Sequence, residues 1–248
     1  MIMNTYFSIN YEFDRNEVHH AIAAAEKGYI CVADGVVMCH ANRDETYLQA
    51  VNGGLLSICD SSWVPVYIKS IYGRRYEQYC GSDIFRDIVS SKKYRMLFLG
   101  TDNKTLSALR QRLMDINPDV ADMCFMELPF KSVEEFDYPA IANAIEADGA
   151  KIIWVALGAP KQERFMHNLL PHLKHGVMIG VGAVFNFFSG LQESRCPVWV
   201  QKCHMEFVYR IMQNPRKQLK RCALIVRTMP RLYFEEIKRA RESRSKLR

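Results

Sequence analysis

Residues 151–166 read KIIWVALGAPKQERFM, and the polar cluster inside them offers the densest chemistry in the chain. Ile152 to Leu157 is an unbroken apolar run with β-branched residues, the pattern of a strand buried on both faces. Gly158, Ala159 and Pro160 stop it, and Lys161, Gln162, Glu163 and Arg164 follow. Phe165, Met166, Leu169 and Leu170 then recur at helical spacing. The stretch is strand, tight polar loop, helix. In an open α/β sheet, ligands sit outside the carboxyl ends of the strands, and helix N-termini favour anions. Gly158, Pro160, Lys161, Gln162 and Glu163 are therefore candidates for holding a phosphorylated ligand. The plainer alternative is that Pro160 and Glu163 only start a helix.

Other strand ends carry polar residues that can converge on that loop. Asp60 directly follows the apolar strand Leu55–Cys59. A carboxylate partly removed from water gains basicity, which suits a general base. The alternative is an N-cap on the helix that Pro65 begins. Gly81, Ser82 and Asp83 open another helix, where Asp83 reads as substrate contact or as a cap. Asp34-Gly35 also follows a strand, although DG is a common turn dipeptide. Several templates are absent: there is no GxxxxGK[ST] loop, no complete GxGxxG, no HExxH and no Asp-x-Asp. A divalent ion bridging a nucleotide diphosphate needs hard oxygen ligands close together. Without them, side-chain cations are the expected partners, and Arg210, Arg216, Lys217, Lys220 and Arg221 supply these.

Elements able to position these residues follow from periodicity. Helices are expected at Asn16–Lys27 (stopped by Gly28), Val36–Val51 or its later part, Val64–Tyr72, Ser82–Ser90, Thr105–Ile116 and Val133–Ala147. Strands are expected at Tyr29–Val32, Leu55–Cys59, Met96–Leu99, Ala121–Met126, Ile152–Leu157 and Gly176–Val181, behind an antiparallel or irregular lead-in at residues 4–15. Such alternation predicts an α/β fold: a Rossmann-like, three-layer parallel sheet over residues 1–194. From Pro197 onward, Trp199, Cys203, Phe207, Ile211 and Leu219 recur at helical intervals among Lys and Arg. Residues 195–248 therefore read as a basic amphipathic helical appendage.

Charge divides the same way. The 248 residues carry a formal +6, yet Arg195 to Arg248 hold 15 Lys and Arg against 4 Glu, and residues 1–194 hold 18 basic against 23 acidic. A basic tail on a mildly acidic body points to an anionic partner: a membrane surface, a nucleic acid or a phosphorylated substrate. The eight cysteines form no CxxC and several sit in apolar runs, as buried reduced thiols of a cytosolic protein do. Neither a signal-length apolar core near the start nor a membrane-length apolar run is present.

LGAPKQE (157–163), GVGAVFNFFSG (180–190), CPVW (196–199) and EFVYRIMQNPRK (206–217), with GSDIF (81–85) and LLSICDSS (55–62) upstream, together resemble the WecG/TagA/CpsF family, glycosyltransferase family 26. The resemblance spans roughly Ser8 to Leu224. It implies transfer of an N-acetylmannosamine-type sugar from a UDP donor to a lipid-linked N-acetylglucosamine acceptor, with inversion and with neither metal nor cofactor. It further implies a cytoplasmic enzyme, peripheral on the inner face of the cell membrane, whose appendage reaches the membrane and completes the site. Carried over by position, the catalytic carboxylate falls on Asp60, with Ser61 where glycine is usual. The family's Thr-x-Asn falls at about Val32 to Asp34, without the threonine. Gln162 and Glu163 match at the loop as partners of nucleotide or sugar hydroxyls, ranking above Lys161. Gly180, Gly182 and Phe185 lie in the second motif, and Arg210, Arg216 and Arg221 match the arginines that face the diphosphate.

Two other classes stand beside this reading. A nucleotide-binding oxidoreductase predicts a glycine fingerprint after the first strand, and that is absent. A non-catalytic module using its basic tail suits a membrane or a nucleic acid, since aromatic residues interleave with arginines. The resemblance favours the membrane, with no nucleic acid. The exact sugar, the acceptor, the pathway and any homo-oligomer stay open at this level.

Overall fold

A computed structural model describes residues 4–191 and 206–245. The expected segment from Arg195 through Trp199 to Cys203, with the 194/195 boundary, lies outside the described residues. The elements in order are β1 (Asn4–Tyr6), β2 (Ile9–Glu12), α1 (Arg15–Ala24), β3 (Lys27–Ala33), α2 (Gly35–Ala41), α3 (Glu45–Asn52) and β4 (Leu56–Cys59). Next come α4 (Trp63–Tyr72), α5 (Gly81–Ser91), β5 (Met96–Gly100), α6 (Asn103–Met114) and β6 (Cys124–Met126). The chain continues through α7 (Tyr138–Asp148), β7 (Ile152–Ala156), α8 (Lys161–Leu169), β8 (Gly176–Gly180) and α9 (Val184–Ser189). Last are α10 (Glu206–Gln213) and α11 (Pro215–Ser245).

The strands form one eight-stranded sheet in the order β1-β2-β4-β3-β8-β7-β5-β6, parallel except for the β1–β2 hairpin. The central strands send alternate residues to opposite layers, as the two-residue period requires. Tyr29, Cys31, Ile153 and Val155 join the layer under α2, α3, α4, α7, α8 and α11, whereas Ile30, Val32, Ile152 and Trp154 join that under α1, α5, α6 and α9. Both faces are covered, so β3, β7 and β8 read as near-continuous apolar runs.

Several expected boundaries shift for local reasons. The helix expected over Val36–Val51 is two helices, because the Asp44 side chain accepts the Tyr47 N–H at 3.0 Å and restarts the chain as an N-cap. The helix expected from Val133 starts at Tyr138. A capping box between Ser132 and Glu135 closes a 3-10 turn first, and Asp137 caps α7 itself. The strand expected at Ala121–Met126 is only Cys124–Met126, because Asn117 caps a 3-10 turn over Pro118–Asp122. Gly28 is no helix stop. It lies inside β3, where a Cβ would meet Leu55 Cγ at 2.5 Å.

The described part of the appendage packs onto the core. Met229, Leu232 and Ala240 of α11 are buried in the layer that α4 also joins. Tyr72 donates to Glu236 Oε1 at 2.7 Å and Arg244 donates to the Ile71 carbonyl at 3.0 Å. Among the described residues, no helix is long and apolar enough to cross a membrane.

Candidate active site

Strands β3 and β8 are neighbours, yet the helix after β3 covers one face and the helix after β8 covers the other. Such a switch opens a crevice at the carboxyl ends of the strands. The loops after β3 and β4 meet there beside α11, and the loops after β7 and β8 are tied to each other through Gln162.

A cavity of about 350 Å³ lies between the loops after β3 and β4 and the α11 helix, with Asp34, Asp60 and Arg221 in its wall. Asp60 is positioned twice. Its backbone N–H donates to the Ala33 carbonyl at 3.1 Å, and its Oδ1 accepts the Gly81 N–H at 2.8 Å at the start of α5. The cap position of α4 is taken by Ser62, so Asp60 faces the cavity and α5 rather than capping α4. Asp34 serves two elements. Oδ1 accepts the Val36 and Val37 N–H groups at 2.8 and 2.9 Å, capping α2, while Oδ2 pairs with Arg221 of α11. Asp34 is thus the expected turn residue and also a wall of the cavity. On its apolar side, Trp63 and Tyr67 stack with ring centroids 6.1 Å apart, and Ile225 and Met229 face the same space.

Two strands over, the GAPKQE loop has a different character. Gln162 is buried and its Oε1 accepts the N–H groups of Gly182 at 2.8 Å, Gly158 at 3.3 Å and Leu157 at 3.4 Å. One side-chain oxygen therefore ties the loop after β7 to the loop after β8. Gly182 has φ +54°, and Gly180 has no room for a side chain because a Cβ would meet Gln162 Nε2 at 2.5 Å. Glu163 is also buried. It accepts the Tyr47 hydroxyl at 2.8 Å and the Gln162 Nε2 at 3.3 Å. Burial pushes its carboxyl up to about 7, and the Tyr47 hydrogen bond opposes that rise. Both residues, read from sequence as partners of ligand hydroxyls, turn their polar atoms inward to hold the loop.

The remaining expected residues are dispersed. Pro160 ends the loop at the cap of α8, after a cis Ala159–Pro160 bond. Lys161 turns outward, with Nζ on the Lys131 carbonyl and 4.9 Å from the Phe136 ring centre. Ser82 and Asp83 fold back on Cys80, whose Sγ donates to Asp83 Oδ2 at 2.9 Å. Phe185 is core, 4% or less exposed like its neighbour Val184, and lies 6.0 Å from the Phe85 and Phe98 ring centres. Arg216 is exposed at the first turn of α11, and the Arg210 side chain lies outside the described residues. Sequence reading missed Tyr47, Trp63, Tyr67 and Gln218. The i, i+4 aromatic pair on α4 carried a signal; Tyr47 and Gln218 carried none, because their roles exist only across elements. Among the described residues, no group of three or more His, Cys, Asp or Glu side chains is arranged to hold a metal ion.

A mostly parallel α/β sheet with a switch-point crevice, where two carboxylates and an arginine share one cavity wall, is the class of fold that takes ligands at its strand ends. The model described as the glycosyl transferase WecG/TagA/CpsF family matches residues 5–244, and the chain belongs to that family. It is similar to the N-acetylglucosaminyldiphosphoundecaprenol N-acetyl-beta-D-mannosaminyltransferase of Bacillus subtilis (strain 168), 25% identical over 201 residues that cover 77% of this chain and 76% of the relative. The protein of that same name from Bacillus spizizenii (strain ATCC 23059 / NRRL B-14472 / W23) is 24% identical over 192 residues, 76% of this chain and 72% of the relative.

Proposed function

We propose that this protein transfers an N-acetylmannosamine-type sugar from a UDP donor to a polyprenyl-diphosphate-linked N-acetylglucosamine acceptor in surface polysaccharide synthesis. The observation that carries the reading is the cavity shared by Asp60, Asp34 and Arg221 at the switch point of a sheet in a glycosyl transferase family chain. The relatives' names supply the acceptor and the sugar. On this reading the reaction is a single displacement with inversion. The acceptor hydroxyl oxygen attacks the anomeric carbon while Asp60 takes its proton, and the bond from that carbon to the UDP oxygen breaks. UDP leaves with the electron pair. Its charge is met by Arg221, Arg216 and Arg210 together with backbone N–H groups at the strand ends, and no metal enters.

The held geometry of Asp60 supports its role, because a base must sit within reach of one hydroxyl and not sample several positions. The amphipathic α11 supports peripheral attachment to the inner face of the cell membrane. Leu219, Val226 and Phe234 are exposed on it, with Lys220, Arg227 and Arg231 nearby. The test is turnover of UDP-N-acetylmannosamine with a lipid-diphosphate N-acetylglucosamine acceptor. Asp60→Asn is expected to cut kcat by about 10²–10⁴-fold, the usual contribution of a general base, while UDP affinity stays within about twofold of wild type. Turnover near the wild-type rate in that variant removes Asp60 from the role.

A further inference from the structure

Glu163 is fully enclosed, and the groups around it are unusual company for a carboxylate. Tyr29 and Cys31 face it from β3, Tyr47 from α3, and Asp34 acts on it from the end of β3. The cations of its own helix turn elsewhere: Lys161 to the Lys131 carbonyl and Arg164 to Asp44 at 2.6 Å. His167 lies against the Tyr29 hydroxyl at 3.2 Å. Acids on the elements packed behind α8 are engaged as well, Glu135 with Ser132 and Glu146 with His175. Strands β7 and β8 bring no titratable side chain. So Glu163 lies among phenols, a thiol and another acid, and its hydrogen-bond donors are Tyr47, Gln162 and its own backbone N–H.

A primary amide has an acceptor end and a donor end. Three backbone N–H groups on one side of Gln162 require its oxygen there, and this leaves its NH₂ group against Glu163. We propose that Glu163 is a positioning residue for the donor nucleotide: its ionised carboxylate locks the Gln162 amide in the orientation that clamps the Gly158 and Gly182 loops at the spacing the UDP diphosphate needs. The proposal rests on the glycosyl transfer reading for its ligand, and on hydrogen bonds alone for the clamp.

Two opposite pH trends follow. Hydrogen bonds that pull the Glu163 carboxyl down are made more strongly by its ionised form, so the clamp tightens as pH rises through about 7. Global stability moves the other way. Burial raises the folded-state value above the ordinary carboxylate range, so its contribution is full at low pH and is lost as pH rises toward about 7. A carboxylate with only a structural role would show the second trend without the first.

The experiment is hydrogen exchange of peptides covering residues 157–163 and 180–184, corrected for intrinsic rates, from about pH 5.5 to 8.5, with UDP titrated on the same samples. In the wild type, protection should rise across pH 7 by up to about tenfold per unit, the limit for one proton. UDP affinity should rise with it. Glu163→Gln should show flat protection at the wild type's low-pH level and a higher thermal midpoint than wild type at pH 8. Tyr47→Phe, which removes a donor to the ionised form, should move the step to higher pH. Equal wild-type protection on both sides of pH 7, or a step that persists in Glu163→Gln, overturns the clamp. UDP affinity without the step overturns the positioning role alone. A step without any UDP affinity overturns the donor role together with the transfer reading.

Discussion

At Gly180 a methyl group has nowhere to go, since its Cβ would meet Gln162 Nε2 at 2.5 Å and Met166 Cε at 2.8 Å. The Gln162 end is pinned by three backbone N–H groups and cannot swing aside without releasing both loops. Gly180→Ala is therefore expected to cost about 1–3 kcal/mol, the range for overpacking, read by urea denaturation, and to weaken UDP binding. An unchanged midpoint and affinity would show that the clamp yields freely. At this scale Asp34 and Asp60 directly follow apolar strands, as the sequence reads, and Gln162 lies in the first turn of the helix after β7. Gln162 and Glu163, expected to meet a ligand, hold Leu157, Gly158, Gly182 and Tyr47 with their polar atoms, and the Gly182 partner lies on another loop twenty residues on. Tyr47, the main donor to Glu163, is separated from it by 116 residues and had no local signature.

Among elements, Asp34 joins α2 to α11. One oxygen caps the first helix and the other holds Arg221 of the last. Asparagine keeps the capping oxygen and gives up the charge. Asp34→Asn should thus leave the thermal midpoint nearly unchanged, free Arg221 for the diphosphate, and raise UDP affinity by about twofold to fivefold, the weight of a partly exposed ion pair. Calorimetric titration checks this, and a loss of affinity would mean that the pair positions Arg221 rather than sequestering it. Element types were legible wherever periodicity ran unbroken, as in β7 and α8. Boundaries failed at Asp44, at Ser132 with Glu135, and at Asn117, where a side chain capping its own backbone overrode the apolar pattern.

For the molecule as a whole, the surplus of positive charge falls in residues 195–248, yet α11 also contributes Met229 and Leu232 to the core. Removing the helix would open that layer, so a truncation cannot isolate membrane binding. Charge reversal at exposed positions can. Arg227→Glu with Arg231→Glu should weaken binding to anionic vesicles by tenfold or more, given about 1 kcal/mol per basic residue near an anionic surface, and leave the circular dichroism spectrum unchanged. The attraction should fade with added salt, because it is screened over about 10 Å at 0.1 M. Undiminished vesicle pelleting would place the attachment on another surface.

By itself the sequence determined the α/β class, the order of strands and helices, the strand ends that carry Asp34, Asp60 and the GAPKQE loop, and the basic character of the tail. Each is a local property, set by apolar periodicity, by glycine and proline breaks, or by composition. Only the tertiary structure decided which strands are neighbours, and hence that β3 and β8 frame the crevice while β1 and β6 lie at the edges. It also decided that Arg221 reaches Asp34 across 187 residues, and that Glu163 faces Tyr47 instead of solvent. Pairings of that kind depend on how the layers stack. A chain's local pattern says which face of an element is apolar, but not which other element will cover it.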